Sequence, residues 1–322
     1  MTQRPDFTTA RWRIACAWIA IALNTAAASL WAFCGAIENF HEGWLSASLA
    51  ANLLLSLNFL APMLIFVVLG VLAVRWPIAG GLVYVLVGLL LGGWFLMGRQ
   101  APGTGGFLLA LVMGGSAGGL GVLFMIGRAR ARKSALIITV GLPLLTAIIS
   151  GAEPAFRAAT RHDDGDRGER LVQGNGVALV WAPAGPGWPR DGVDWHEATR
   201  RCRHLAADGL SLADELLDLW RLPTVDEVVC SLTRGGENAG GTWDPATKRA
   251  HYERRPDKES PLWDPHSPII YWWAADEISA DRAHRVVYNG LVVELPKSNR
   301  MGSQAFRAVR RAEATAPPAP TR

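Results

Sequence analysis

Glu38, His41 and Glu42 bring two carboxylates and an imidazole within five positions, a donor set that could hold a divalent cation. No second group of donors stands beside them in the chain. They therefore read as a solvated connection, and no metal is expected. Cys202 and Cys230 could form a disulfide in an oxidising compartment or stay as two buried thiols, and residue type leaves both open. Asp163, Asp164, Asp166 and Glu169 surround Gly165 in the manner of a loose calcium loop. They lack the ligand spacing and closing bidentate glutamate of an EF-hand, so a structural turn is expected.

Gly235–Pro268 mixes aromatic and charged residues with little periodicity, which suits a recognition surface. Within it Trp243, Asp244, Tyr252, Arg255, Trp263 and Asp264 are the candidate ligand-binding residues. The competing expectation is that Trp243 or Trp263 fills the core of a small domain. No catalytic residue is identified. The glycine-rich stretch Gly235–Gly241 lacks the Lys-Ser/Thr of a phosphate loop, and no serine or cysteine sits in a nucleophile elbow. His251, His266 and His284 have no ligand spacing, and no cofactor is expected.

The elements that must position these residues fall into two groups. Residues 1–151 carry nine basic and three acidic groups, a net of +6, while the rest of the chain has a net of −2. A bilayer core of about 30 Å needs roughly 20 apolar residues in a helix. Five runs meet or approach this: Ile14–Ile37, Leu49–Val74, Pro77–Met97, Gly106–Gly127 and Ser134–Gly151. The last is shortest and contains Pro143. An all-α bundle of about five spans embedded in a lipid bilayer is expected.

Arg4, Arg11 and Arg13 precede the first run, and Arg128, Arg130, Arg132 and Lys133 precede the fifth. Positive charge marks the cytoplasmic side. Five crossings from a cytoplasmic N-terminus would put the remainder in the periplasm or outside the cell. The basic groups cap spans and form no basic face, so nucleic acid is not an expected partner. Gly88/Gly92, Gly114/Gly118 and Gly115/Gly119 have GxxxG spacing, which suits packing within the bundle or a homo-oligomer.

After a linker over 152–162, residues 163–311 read as α+β. Asp194 and Thr224 cap two helices, each with a glutamate three positions on, Glu197 and Glu227. Ser211–Trp220 suggests a further short helix. Ile269–Ala275, His284–Gly290, Leu291–Leu295 and Ala305–Arg311 read as strands, with Asn289-Gly290 as a hairpin turn. Residues 312–322 read as a disordered tail.

The motifs "WRLPTVDE" (Trp220–Glu227), "YWWA" (Tyr271–Ala274) and "FRAVR" (Phe306–Arg310), with "VVYNGLV" between the last two, resemble the Lcl C-terminal domain family over about residues 163–311. That family is similar to the formylglycine-generating-enzyme group. The resemblance implies a C-type-lectin-like fold: a small twisted sheet, two flanking helices and a long irregular loop region that commonly carries ligand contacts. It does not carry the oxidase chemistry. The enzymatic relatives act with a cysteine pair near the end of the domain, and this chain has no cysteine after Cys230. The calcium tripeptides of sugar-binding lectins are missing too. The expected function is a membrane-anchored, extracytoplasmic module of the bacterial cell envelope that binds or senses a glycan or protein ligand. An enzyme with an unrecognised site in the loops, or a transporting or signalling bundle with a regulatory cap, are the alternatives.

Overall fold

The structure, a computed structural model, describes residues 7–97, 107–108, 110–183, 185, 192–259, 262 and 264–312. Two compact units divide the chain, one within residues 1–155 and one gathering 156–322 with the short stretch 45–47.

The first unit is helical: α1 (Phe7–His41), α2 (Leu49–Arg75), α3 (Pro77–Met97), α4 (Ala110–Ile126) and α5 (Arg132–Ala159). Four of these, α1, α2, α3 and α5, are long and apolar enough to cross a membrane. The run expected over Gly106–Gly127 gives the shorter α4, which opens with a π turn at Ala110–Gly114; Phe107 and Leu108 before it are also helical. The run expected to be shortest becomes the 28-residue α5. Pro143 does not end it, although proline removes one backbone bond. The hydroxyls of Thr146 and Ser150 bond back to the carbonyls of Leu142 and Thr146.

Burial runs opposite to that of a water-soluble bundle. Leu54, Val68, Leu89 and Ile148 point outward, while Ala20, Ala28 and Ala32 of α1 are fully buried. Small residues inside let helices approach where lipid removes any hydrophobic drive between them. Gly88 and Gly92 lie against Gly114, and Gly88 against Gly118, so this glycine spacing serves packing between α3 and α4. Gly115 and Gly119 instead border an open groove of about 650 Å³. Asn24 accepts a hydrogen bond from the Tyr84 hydroxyl across helices, Asn52 is buried, and Asn58 is exposed.

Close approaches set the helix directions. Gly35 meets Phe59 and Gly70 meets Asn24, so α1 and α2 are antiparallel. Gly81 meets Gly121 and Gly88 meets Gly114, so α3 and α4 are too. Thr139 reaches Gly70 at the level of Asn24, and Gly151 reaches Ala36, which makes α5 parallel to α1. At one end, Arg13 Nε donates to the Ile126 carbonyl and the Arg128 amide to the Arg13 carbonyl, each at 3.1 Å. The start of α1 therefore sits beside the end of α4.

Among the described residues, the second unit follows the end of α5 with short strands and two short helices. Strands β1 (Arg170–Gly174), β2 (Val177–Trp181) and β11 (Val309–Arg311) form one antiparallel sheet in the order β1-β2-β11, which joins the beginning of the module to its end. A second sheet runs β10-β7-β8-β9, from β10 (Gln304–Ala305), β7 (Tyr271–Glu277), β8 (Arg282–Val287) and β9 (Val292–Pro296). Two ribbons complete it: β3 (Thr233–Arg234) with β4 (Glu237–Asn238), and β5 (Thr242–Asp244) with β6 (Arg249–His251). Helices α6 (Trp195–Arg203) and α7 (Val225–Ser231) precede the ribbons. The core gathers Trp181, Trp220, Leu222, Val228, Trp272, Trp273 and Phe306.

Thr224 caps α7 in a full capping box with Glu227, whose carboxylate is also held by both Arg221 nitrogens at 2.6 and 2.7 Å. Asp194 caps α6 through the Glu197 amide, but the Glu197 carboxylate turns to Arg200 and Arg201. Arg200, outweighing burial and aided by Arg201, holds that carboxyl at about 2.

Two expectations are corrected. Residues 152–159, expected within a linker, continue α5. Ser211–Trp220 is not a helix, because its amides go elsewhere: Ala213 bonds the His204 carbonyl, and Leu217 and Asp218 bond that of Arg203. The hairpin turn expected at Asn289-Gly290 does join β8 to β9, through the loop Tyr288–Gly290 closed by bonds between Val287 and Leu291 and between Gly290 and Val287. Only Gly290 takes positive φ there, at 84°, which suits a turn ending in a left-handed residue. Of the two states the sequence leaves open for the cysteines, the structure has the buried thiols: Cys202 and Cys230 are free. Cys202 faces the core, and Cys230 Sγ lies 3.7 Å from Asp226 Oδ1 on its own helix. Thiol labelling of the denatured, unreduced protein with peptide mapping should therefore modify both. In the native protein Cys202, which is fully buried, should stay unlabelled; recovery of a linked Cys202–Cys230 peptide would contradict this.

Candidate functional site

The β5–β6 ribbon meets the sheet at β8 and holds two of the candidate ligand residues, with a third, Tyr252, directly after it. Trp243 is half-buried against the core and meets His284 of β8 edge-on, ring centroids 5.7 Å apart. His284 is 9% exposed, and neither ring nitrogen has a hydrogen-bond partner among the described residues. It shares a strand face with Val286, as alternation requires. Glu294 stands opposite it on β9 and takes Lys248 Nζ of the ribbon at 2.6 Å. Lys248 has φ of 53° at the ribbon turn.

Asp244 is spent on that turn. Its carboxylate accepts from the Ala246 and Thr247 amides and the Thr247 hydroxyl, and these bonds hold it below the usual carboxylate range. Tyr252 follows the ribbon and packs inward, its hydroxyl donating to the Gly290 carbonyl at 3.1 Å. Arg255 is exposed. Asp264 accepts the His266 amide at 2.8 Å and lies 3.3 Å from Arg167, away from the ribbon partners. Trp263 falls outside the described residues. Of the six candidates, Trp243 and Asp244 thus share the ribbon with Tyr252 directly after it, and Trp243 is the one that both reaches the surface and rests on a buried polar group. His284 joins the site without having been singled out. The alternation in "HRVVYNG", which sets it on the Val286 face, was the available signal.

The acidic run is occupied by its own arginines. Arg167 grips Asp163 with two bonds of 2.7 Å, and Arg170 reaches Asp164 at 2.6 Å. The Arg167 bonds, with the Gly165 amide, hold the Asp163 carboxyl at about 2 against the opposing effect of burial. Glu169 accepts from Arg310 of β11. The run forms a turn held by its own arginines.

A further charged cluster lies buried. Asp257, Lys258 and Glu259 are each at most 1% exposed. Asp257 faces Arg157, Arg161 and Arg234 at 3.3, 3.1 and 3.3 Å, and Arg234 also reaches Glu259 at 3.4 Å. Lys258 Nζ sits 5.3 Å from the Tyr288 ring centre. Burial, with Asp257 adding to it, pushes the Tyr288 hydroxyl up to about 12. Charges leave water at this depth only when paired, so the cluster organises the loop after the ribbon.

No known protein family, curated protein or solved structure matches the chain.

Proposed function

We propose that the chain is a membrane-anchored module that binds or senses a ligand on the extracytoplasmic side, through the β5–β6 ribbon of a C-type-lectin-like domain. The observation that carries this is Trp243, partly exposed on a short ribbon and seated on the buried His284. An aromatic platform fixed by a buried partner is pre-organised for a sugar face or an apolar side chain. Two helices followed by antiparallel hairpins, with the last strand returning to the first sheet, support the lectin-like reading.

The sidedness is supported by the helix directions. Antiparallel pairs α1/α2 and α3/α4, with α5 parallel to α1, fit five traverses in which the shorter α4 also crosses, and such a path ends α5 opposite the start of α1. The arginines beside the N-terminus and before α5 then mark the cytoplasm. A phosphatase fused to the C-terminus should be active in the periplasm, and a cytoplasm-dependent fluorescent fusion should be dark; the reverse pair of results would reject the sidedness. For the site, full-length protein in nanodiscs is screened against glycans and peptides. A ligand of the wild type should be lost or weakened at least about tenfold by Trp243→Ala, as for an interface anchor. Unchanged binding by a folded Trp243→Ala protein would reject the ribbon.

A further inference from the structure

The end of α1 does what the sequence alone did not indicate. The helix runs four residues past the apolar stretch to His41, so Glu38 and His41 share one helix face at i and i+3, and Glu42, in the turn directly after, follows at i+4. One donor atom from each lies within 4.8 Å of the others. The turn that ends the helix is held in place: the Glu38 carbonyl accepts the Glu42 amide at 2.9 Å and the Gly43 amide at 3.4 Å. A side chain at Gly43 would strike the Asn39 carbonyl and the Phe59 ring. Trp44 then takes φ of 57° and stacks obliquely on Phe40, ring centroids 5.1 Å apart.

We propose that Glu38, His41 and Glu42 form a binding site for a first-row divalent transition metal ion such as Zn2+, Co2+ or Mn2+. Three arguments converge. First, Glu-x-x-His at i, i+3 is a spacing with which helices supply metal ligands, and Glu42 adds a second carboxylate beside it. Second, one imidazole nitrogen with two carboxylate oxygens suits borderline ions; Ca2+ and Mg2+ favour oxygen alone. Third, two carboxylates are held close together in a stretch with no lysine or arginine between Arg13 and Arg75. A divalent cation relieves their repulsion. Since all three ligands come from the end of one helix and the turn directly after it, the opposite coordination positions are open to water or an outside ligand. The site lies in the helical unit and does not depend on the ligand-binding reading of the module.

The test uses the full chain in detergent micelles with any affinity tag removed, titrated with Co2+ and followed by absorption, with Zn2+ and Mg2+ as competitors. One equivalent should bind without a sulfur charge-transfer band, and Zn2+ but not Mg2+ should displace it. His41→Ala should weaken binding by at least about 100-fold, beyond the 10–100-fold typical of losing an outer-shell partner. Glu38→Gln and Glu42→Gln should each weaken it too, while His266→Ala should not. In the unmutated chain, Cu2+ electron paramagnetic resonance should show coupling to one imidazole nitrogen. Binding that survives His41→Ala, a sulfur band, or a copper spectrum without nitrogen coupling would overturn the proposal.

Discussion

Asp257→Asn should destabilise the second unit by about 3–5 kcal/mol, the cost of removing one partner from a buried ion pair. The Asp257 side chain is 2% exposed and lies between the guanidinium groups of Arg157, Arg161 and Arg234. Asparagine keeps the shape and one acceptor oxygen but removes the negative charge that three cations share. The loss is therefore electrostatic, with no cavity to add to it. Arg161→Met should cost less, because Asp257 keeps Arg157 and Arg234. The double variant should fall well short of the sum of the two, since both changes act on one network. Pulse proteolysis in urea reads the stability of the module without needing a signal free of the membrane helices. An Asp257→Asn protein within about 1 kcal/mol of wild type would mean the cluster is solvated in a way its burial does not indicate.

That cluster also shows where sequence reading stops. "RRPDKES" (Arg254–Ser260) has the composition of a surface loop, and nothing local marks it for burial. Its partner Arg161 stands 96 residues earlier. Features whose partners lie within one turn were legible: Thr224 and Glu227 are three apart, and so are Asp194 and Glu197. The strands expected over Ile269–Ala275 and His284–Gly290 were legible from aromatic and β-branched content, and they lie at Tyr271–Glu277 and Arg282–Val287, with shifted ends. Ser211–Trp220 misled because its leucines suggest a helix. Leu212, Leu216 and Leu219 are instead exposed, and the backbone donors serve the carbonyls that α6 leaves open. In the candidate site, the aromatic character of Trp243 and Tyr252 was visible. The difference between them was not, because it depends on which strand each one meets: Trp243 lies over His284, and Tyr252 under the β8–β9 loop. The donors at the end of α1 were visible as types, but their convergence required the helix to outlast its apolar run.

Gly290→Ala should destabilise the module beside the ribbon. Gly290 has φ of 84°, a region that costs an L-residue about 1–2 kcal/mol. A Cβ there would also fall inside the Tyr252 ring, and overpacking of this kind costs about 1–3 kcal/mol. Together these predict a loss on the order of 2–5 kcal/mol. Tyr252 cannot simply move aside, because its ring packs against the core and its hydroxyl donates to the Gly290 carbonyl. Gly290→Asn separates the two causes. Asparagine tolerates the left-handed region but carries the same Cβ, so it should recover part of the backbone cost and none of the steric one. Because Tyr252 follows directly on β6, displacing it should loosen the ribbon and with it the seat of Trp243. Gly290→Ala should therefore raise hydrogen exchange in Thr242–His251 before it exposes β7 and β8, which exchange mass spectrometry can resolve. Uniform exchange across the ribbon and both strands would mean that the hairpin and ribbon open as one cooperative body, and that the Tyr252–Gly290 contact is not what holds Trp243 in place.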